Sequence, residues 1–136
     1  LVTIIVGIAT VVAINTFSSA ANSANVDAVR QDVAQIAASA QGYYMKPAML
    51  GGGDKSFASI DFDDITFSAA GNDAQYAWNQ NGSYVISGQA AGQFTITAFP
   101  SSCAGYTAAS AGTAPTCTDD DEKLTAIVVP DAVSYS

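Results

Sequence analysis

The chain offers chemistry a narrow set of side chains: twelve Asp+Glu, four Lys+Arg, two Cys and no His among 136 residues, for a net charge of -8. The carboxylates gather in two runs, Asp61 with Asp63 and Asp64, and Asp119–Asp121 with Glu122. Oxygen ligands from two loops are a donor set for Ca²⁺, but neither run follows the spacing of a helix–loop–helix calcium loop. A solvated acidic surface accounts for the same residues, and no metal is expected. The commonest acid–base catalysis uses His. Ser and Asp abound without a His or a suitably placed Lys to activate them, so no catalytic residue and no cofactor are expected. Two Cys without His cannot complete a four-ligand zinc cage. Cys103 and Cys117 form no C-x-x-C pair, and no base stands ready to activate a thiolate. They read instead as a disulfide closing a loop of about 15 residues, worth about 3 kcal/mol in the chain-entropy account. Such a bond belongs to an oxidising, extracytoplasmic compartment. The cations Arg30, Lys46, Lys55 and Lys123 are spread along the chain and cannot neutralise a run of phosphates, which argues against nucleic-acid binding.

Other groupings have ordinary explanations. Asn81-Gly82-Ser83 matches a glycosylation acceptor, but Asn-Gly is also the strongest signal for a tight hairpin turn with positive φ. The Ser and Thr within Thr107–Thr118 are equally open to O-linked sugar. Tyr43, Tyr44 and Phe17 could be imagined as an aromatic path for electrons. Helix aromatics facing a sheet are ordinarily core, and adjacent Tyr residues point to different faces. Arg30 stands beside Asp27 and Asp32, within reach of pairing inside or between chains at little energetic value if exposed.

The elements that carry these residues explain the mean hydropathy of +0.24, high for so acidic a chain. No charge occurs before Asp27, and LVTIIVGIATVVAI is almost continuously apolar. As a helix, 26 uncharged residues extend about 39 Å, enough to cross a hydrocarbon core of about 30 Å. A basic segment typical of a cleaved signal is missing. Val26, Val29, Val33, Ile36, Ala40 and Tyr43 then step by three and four, a helical stripe. Asp27, Arg30, Gln31, Asp32, Gln35 and Ser39 fall on the other faces. The helix is expected to end at Tyr44–Lys46, before Pro47 and Gly51–Gly53. Its first half is apolar all round and must sit in lipid or among copies of itself. This divides the chain into an apolar half-helix, 1–25, and a globular head, 26–136.

The remainder reads as β structure. Ser56–Phe67 is a connecting segment with one possible strand, followed by strand-like runs at Ala74–Trp78, Ser83–Ser87, Gln93–Phe99 and Leu124–Val129. Asn81-Gly82 and Gly88–Gly92 join the first three as antiparallel neighbours. Phe94, Ile96 and Ala98 alternate with Thr95 and Thr97, so one face is apolar. The fold class is therefore α+β, a long helix packed on a roughly four-stranded antiparallel sheet. The 24-residue connection holding both Cys is expected to be exposed.

The order of apolar helix, amphipathic extension, antiparallel sheet and disulfide-closed loop resembles a type IV pilin. Gly7-Ile8 and Ala13-Ile14 are similar to that family's hydrophobic N-terminal signature, and Gln41-Gly42-Tyr43-Tyr44 to its helix end. Gln93–Ala98 and Leu124–Ile127, flanking the cysteines, resemble its last strands. Where the family has an N-methylated aromatic and an acidic residue four positions later, Leu1 and Ile5 stand if Leu1 is the mature terminus. Alignment on Gly7-Ile8 instead implies residues upstream. The family's helix-kinking Pro is replaced near Asn15.

The resemblance implies a filament subunit that waits in the inner membrane, is processed by prepilin peptidase and assembled by pilus machinery, and ends in an extracellular homopolymer. Leu1, Ile4, Ile5, Gly7, Ile8, Val11, Val12 and Ile14 would form the filament core. Small residues at Gly7, Ala9, Thr10 and Ala13 permit close helix approach. Gly7 and Asn15 lower the cost of unwinding between them, so local melting there in a filament is one expectation, and an unbroken helix, which Val11 and Val12 suit, is the other. Val26, Val29, Val33, Ile36, Ala40 and Tyr43 would carry the sheet. A type II secretion pseudopilin, or a membrane-anchored binding domain that never polymerises, are the alternatives.

Overall fold

The structure is a computed structural model, and it describes residues 2–136; Leu1 and the side chains of Asn15 and Phe17 lie outside what is described. One helix, α1, spans Val2–Met45 without interruption, including Gly7–Asn15. Within it the hydroxyls of Thr10 and Thr16 donate to the carbonyls of Val6 and Val12 at 2.9 and 3.0 Å, so these polar groups need no external partner. Pro47 ends the helix, and a 3₁₀ turn at Ala48–Leu50 follows. The carbonyls at the helix end are taken up by the segment after that turn: Gly53 N–H donates to Tyr43 O and Lys55 N–H to Tyr44 O.

The sheet has six strands rather than four: β1 Gly71–Asp73, β2 Tyr76–Trp78, β3 Gly82–Ala90, β4 Gln93–Pro100, β5 Leu124–Val129 and β6 Ala132–Tyr135. Every strand pairs antiparallel with its sequence neighbour, in the order β1 to β6. Of the run expected at Ala74–Trp78 only Tyr76–Trp78 is strand, as β2; Ala74-Gln75 form the turn from β1, which precedes the expected run. The connection expected at Gly88–Gly92 narrows to Ala91-Gly92, because β3 continues to Ala90 through an irregularity that begins after Ser87, where Gly88 takes φ +61°. β6 follows the two-residue turn Pro130-Asp131, with Val129 opposite Ala132.

The Asn81-Gly82 hairpin forms, but not by the expected positive-φ turn, since neither residue has positive φ. Trp78 pairs with Ser83, and the Asn79 side chain closes the connection by accepting from the N–H of Asn81 and of Gly82. Gly82 is needed for a different reason: a Cβ there would lie 2.3 Å from the carbonyl oxygen of Phe99 on β4.

α1 lies across β4 and β5. Val29, Val33, Ile36 and Ala40 are fully buried against Tyr84, Ile86, Phe94, Ile96, Ala98, Ala126 and Val128. Burying each Val or Ile contributes roughly 1.5–3 kcal/mol as an upper estimate. Val26 and Tyr43, at the ends of the stripe, are half-buried, and Ala37 joins it in the core. Ser56–Phe67 contains no strand, yet supplies Phe57, Ile60, Phe62 and Ile65 to the core. It behaves as an irregular lid whose apolar residues alternate too loosely to be paired in a ladder.

Candidate interaction surfaces

The apolar half of α1 projects away from the head. Ile4, Ile5, Ile8, Val11, Val12 and Ile14 are each more than half exposed, and all of the residues 2–24 whose burial is described are exposed. The helix is long and apolar enough to cross a membrane. Gly7 has open space where a Cβ would stand, so it is not imposed by any contact within the chain.

From Asn25 onward the helix is fastened by polar as well as apolar contacts. Asn25 Nδ2 donates to Asn81 O at 2.9 Å and to Ser101 Oγ at 3.2 Å, while its Oδ1 accepts from Ser102 N–H. Two turns later Asp32 Oδ2 accepts from Tyr84 OH at 2.5 Å, Asn81 Nδ2 at 2.9 Å and Asn79 Nδ2 at 3.0 Å. Two turns beyond, Ser39 Oγ accepts from Thr66 N–H at 2.8 Å. On the other flank Gln41 Nε2 donates to Val129 O at 3.1 Å. Asp32 and Ser39 are therefore not solvent-facing members of a polar surface. They form, with Asn25, a polar seam beside the apolar stripe. Their spacing of seven keeps 25, 32 and 39 on one helix face. Burial, with help from the Asp32 carboxylate, pushes the Tyr84 phenol far above its usual range.

Cys103 and Cys117 are joined by a disulfide with Cα atoms 6.0 Å apart. Most of the enclosed loop is exposed, as expected, but it is anchored at buried points. It folds back over the sheet face opposite α1: Tyr106 OH and Ser83 Oγ lie 2.8 Å apart, and Ala109 N–H donates to the same Ser83 oxygen. Gly112 N–H donates to Asp73 on the edge strand β1. Ser83 is fully buried and Ala109 nearly so. The loop thus covers the outer face of β1–β3 rather than hanging free.

The acidic runs make mostly short-range contacts, apart from Glu122, which accepts from Ala104 N–H at 3.1 Å. Asp61 accepts from the N–H groups of Asp63 and Asp64, and Asp63 accepts from Asn72. Asp119 accepts from Asp121 N–H, and Lys123 pairs with Asp120. Among the described residues no three carboxylates converge; Cys103, Cys117 and Glu122 do cluster, but both sulfurs are spent in the disulfide. The Asp64 carboxyl is raised above its usual value by burial and by its acidic neighbours, and the Tyr43 phenol is raised by burial and by Asp64 and Asp61. Arg30 makes no ion pair with Asp27 or Asp32 among the described residues. Tyr44 packs on Phe57 at 4.8 Å between ring centroids, and Phe57 on Phe94 at 5.1 Å, which places these rings in the head's core. The Asn81 amide of the glycosylation acceptor is occupied by Asp32.

Comparison with known proteins brings no assignment: no family model, no curated protein and no solved structure matches this chain.

Proposed function

We propose that this chain is the structural subunit of an extracellular type IV pilus-like filament, self-assembling through its N-terminal helix. The observation that carries this reading is the uncovered apolar helix half, continuous with a half that is docked on a disulfide-bearing antiparallel head. An all-round apolar helix on a water-facing head has to find lipid before assembly and like helices after it. In a bundle of copies the arm loses no contact on leaving lipid, because neighbouring helices replace the acyl chains. The disulfide fits an oxidising compartment outside the cytoplasm. On this reading the partners are copies of the chain, the inner membrane, prepilin peptidase and the assembly machinery, and the chain performs no catalysis.

Negative-stain electron microscopy of purified native material tests the proposal. Long, thin, unbranched filaments containing this chain are the expected result. A short periplasmic fibre supports the pseudopilin reading, and strictly detergent-soluble monomer refutes assembly in favour of a membrane-anchored head.

A further inference from the structure

We infer that the tip of the head, formed by Met45, Met49 and Leu50, seats on the uncharged arm of a second copy of this chain. This rests on the filament reading and names a contact that reading does not supply. Met49 is 97% exposed, Met45 70% and Leu50 66%, the largest apolar exposures outside the arm. These side chains do not hang from a loose loop. Leu50 N–H and Gly52 N–H both donate to Pro47 O, Gly51 N–H to Ala48 O, and Asp54 N–H to Lys46 O. Glycines are required to close the turn: Gly51 takes φ +75°, and a Cβ on Gly52 would stand 2.2 Å from Lys46 O. The result is a rigid apolar knob at the far end of the same helix that carries the arm.

Charge decides which surface covers it. Copies of a chain with net charge -8 repel wherever their acidic surfaces face each other. The arm carries no charge before Asp27. Around the tip, Lys46 and Lys55 stand against Asp54 beside Lys55, Asp64 within electrostatic reach of Lys46, and Asp61 and Asp63 next to Asp64, so two tips facing each other would repel. The uncharged arm is therefore the apolar surface that a second copy can present to the tip without like-charge repulsion. Joining unlike surfaces at opposite ends of one subunit is a heterologous contact, and it propagates an open fibre. Helix rise sets the offset: bringing Met45 of one copy beside Ile4–Ile14 of another requires a shift of roughly 45–60 Å along the axis. Three side chains bury far less than the ~1,000 Å² a stable interface requires, so the tip adds to arm packing and does not dimerise the chain alone.

Methionine oxidation reads the contact directly. Hydrogen peroxide transfers one oxygen atom to the thioether sulfur and leaves as water, and each sulfoxide adds 16 Da in peptide mass spectrometry, a chemistry that requires solvent access. In full-length monomer in detergent, Met49 is expected to oxidise at about the rate of free methionine. In assembled filaments it is expected to be protected at least tenfold. Met49→Glu is expected to leave the melting temperature in detergent unchanged and to lower filament yield at least tenfold, with Met49→Leu restoring it. Filaments whose Met49 oxidises as fast as in the monomer, or that form equally well from Met49→Glu, overturn the inference while leaving the filament reading intact. Absence of any filament from the unaltered chain overturns both.

Discussion

Replacing Asp32 with Ala tests whether the polar seam, and not only the apolar stripe, fixes the helix on the head. The substitution removes the acceptor for Tyr84 OH, Asn79 Nδ2 and Asn81 Nδ2 at once. Tyr84 is fully buried, so its hydroxyl loses its partner without gaining water, at a cost of about 2 kcal/mol. The two amides are half-buried and rehydrate, so each adds only about 0.5 kcal/mol. The expected loss is about 3 kcal/mol, or about 12 °C in melting temperature for a domain near this size. Circular dichroism melts of the full chain in detergent measure it. Tyr84→Phe in the Asp32→Ala background should cost almost nothing further, because the hydroxyl it removes is already unpartnered. A shift of less than about 2 °C for Asp32→Ala, or strict additivity with Tyr84→Phe, refutes the reasoning.

Four further outcomes follow from the same geometry. The Tyr84 phenol is neutral when protonated and its folded-state pKa is raised, chiefly by burial. Its contribution to stability is therefore complete below pH ~10 and falls by about 1.4 kcal/mol per unit above it. Melts from pH 8 to 11.5 should decline more steeply for the unaltered chain than for Tyr84→Phe; parallel curves exclude the effect. Gly82→Ala drives a Cβ against the Phe99 carbonyl, which belongs to the paired backbone, and should cost at least about 2 kcal/mol in urea melts; an unchanged midpoint contradicts the close approach. Changing Cys103 and Cys117 together to Ser should cost about 3 kcal/mol. It should also speed hydrogen exchange at the Ala109 and Gly112 amides that the loop places on Ser83 and Asp73, and unaltered exchange there argues that the loop is held without the bond. In a filament, α1 should be melted somewhere in Gly7–Asn15 although it is continuous in the single chain. A filament reconstruction with an unbroken hydrogen-bond ladder through that stretch counts against it.

The architecture was legible where one periodicity dominates. The three-and-four spacing from Val26 to Tyr43 marks the buried helix face, and the alternation of Phe94, Ile96 and Ala98 marks the inner face of β4. β1 and β6 escaped because three or four residues are too few to show alternation. The core residues of Ser56–Phe67 escaped because the segment buries Phe57, Ile60, Phe62 and Ile65 with no repeating period. Asn81-Gly82 announced a hairpin correctly for a reason that does not operate here, since the glycine answers a close strand approach instead of a positive φ. The arm was readable from its lack of charge alone. The seam was hidden by residue type: Asp32 looks like any surface acid until the fold brings Tyr84, Asn79 and Asn81 to it.

That seam also acts as a keyway. An apolar stripe tolerates slippage or rotation of a helix, whereas Asn25, Asp32 and Ser39 each have partners in one position only. Because α1 is unbroken from the seam to the arm in the single chain, the rotational bearing of the arm's backbone is tied to the face of the head. Adding one residue between Ala24 and Asn25 would turn the whole arm by about 100° and lengthen it by about 1.5 Å. Adding seven would return it to within about 20° of its original bearing, only about 10 Å longer. The neck of the molecule is thus an angular gauge: in the single chain, the bearing of the arm relative to the head is set by the count of residues between arm and seam.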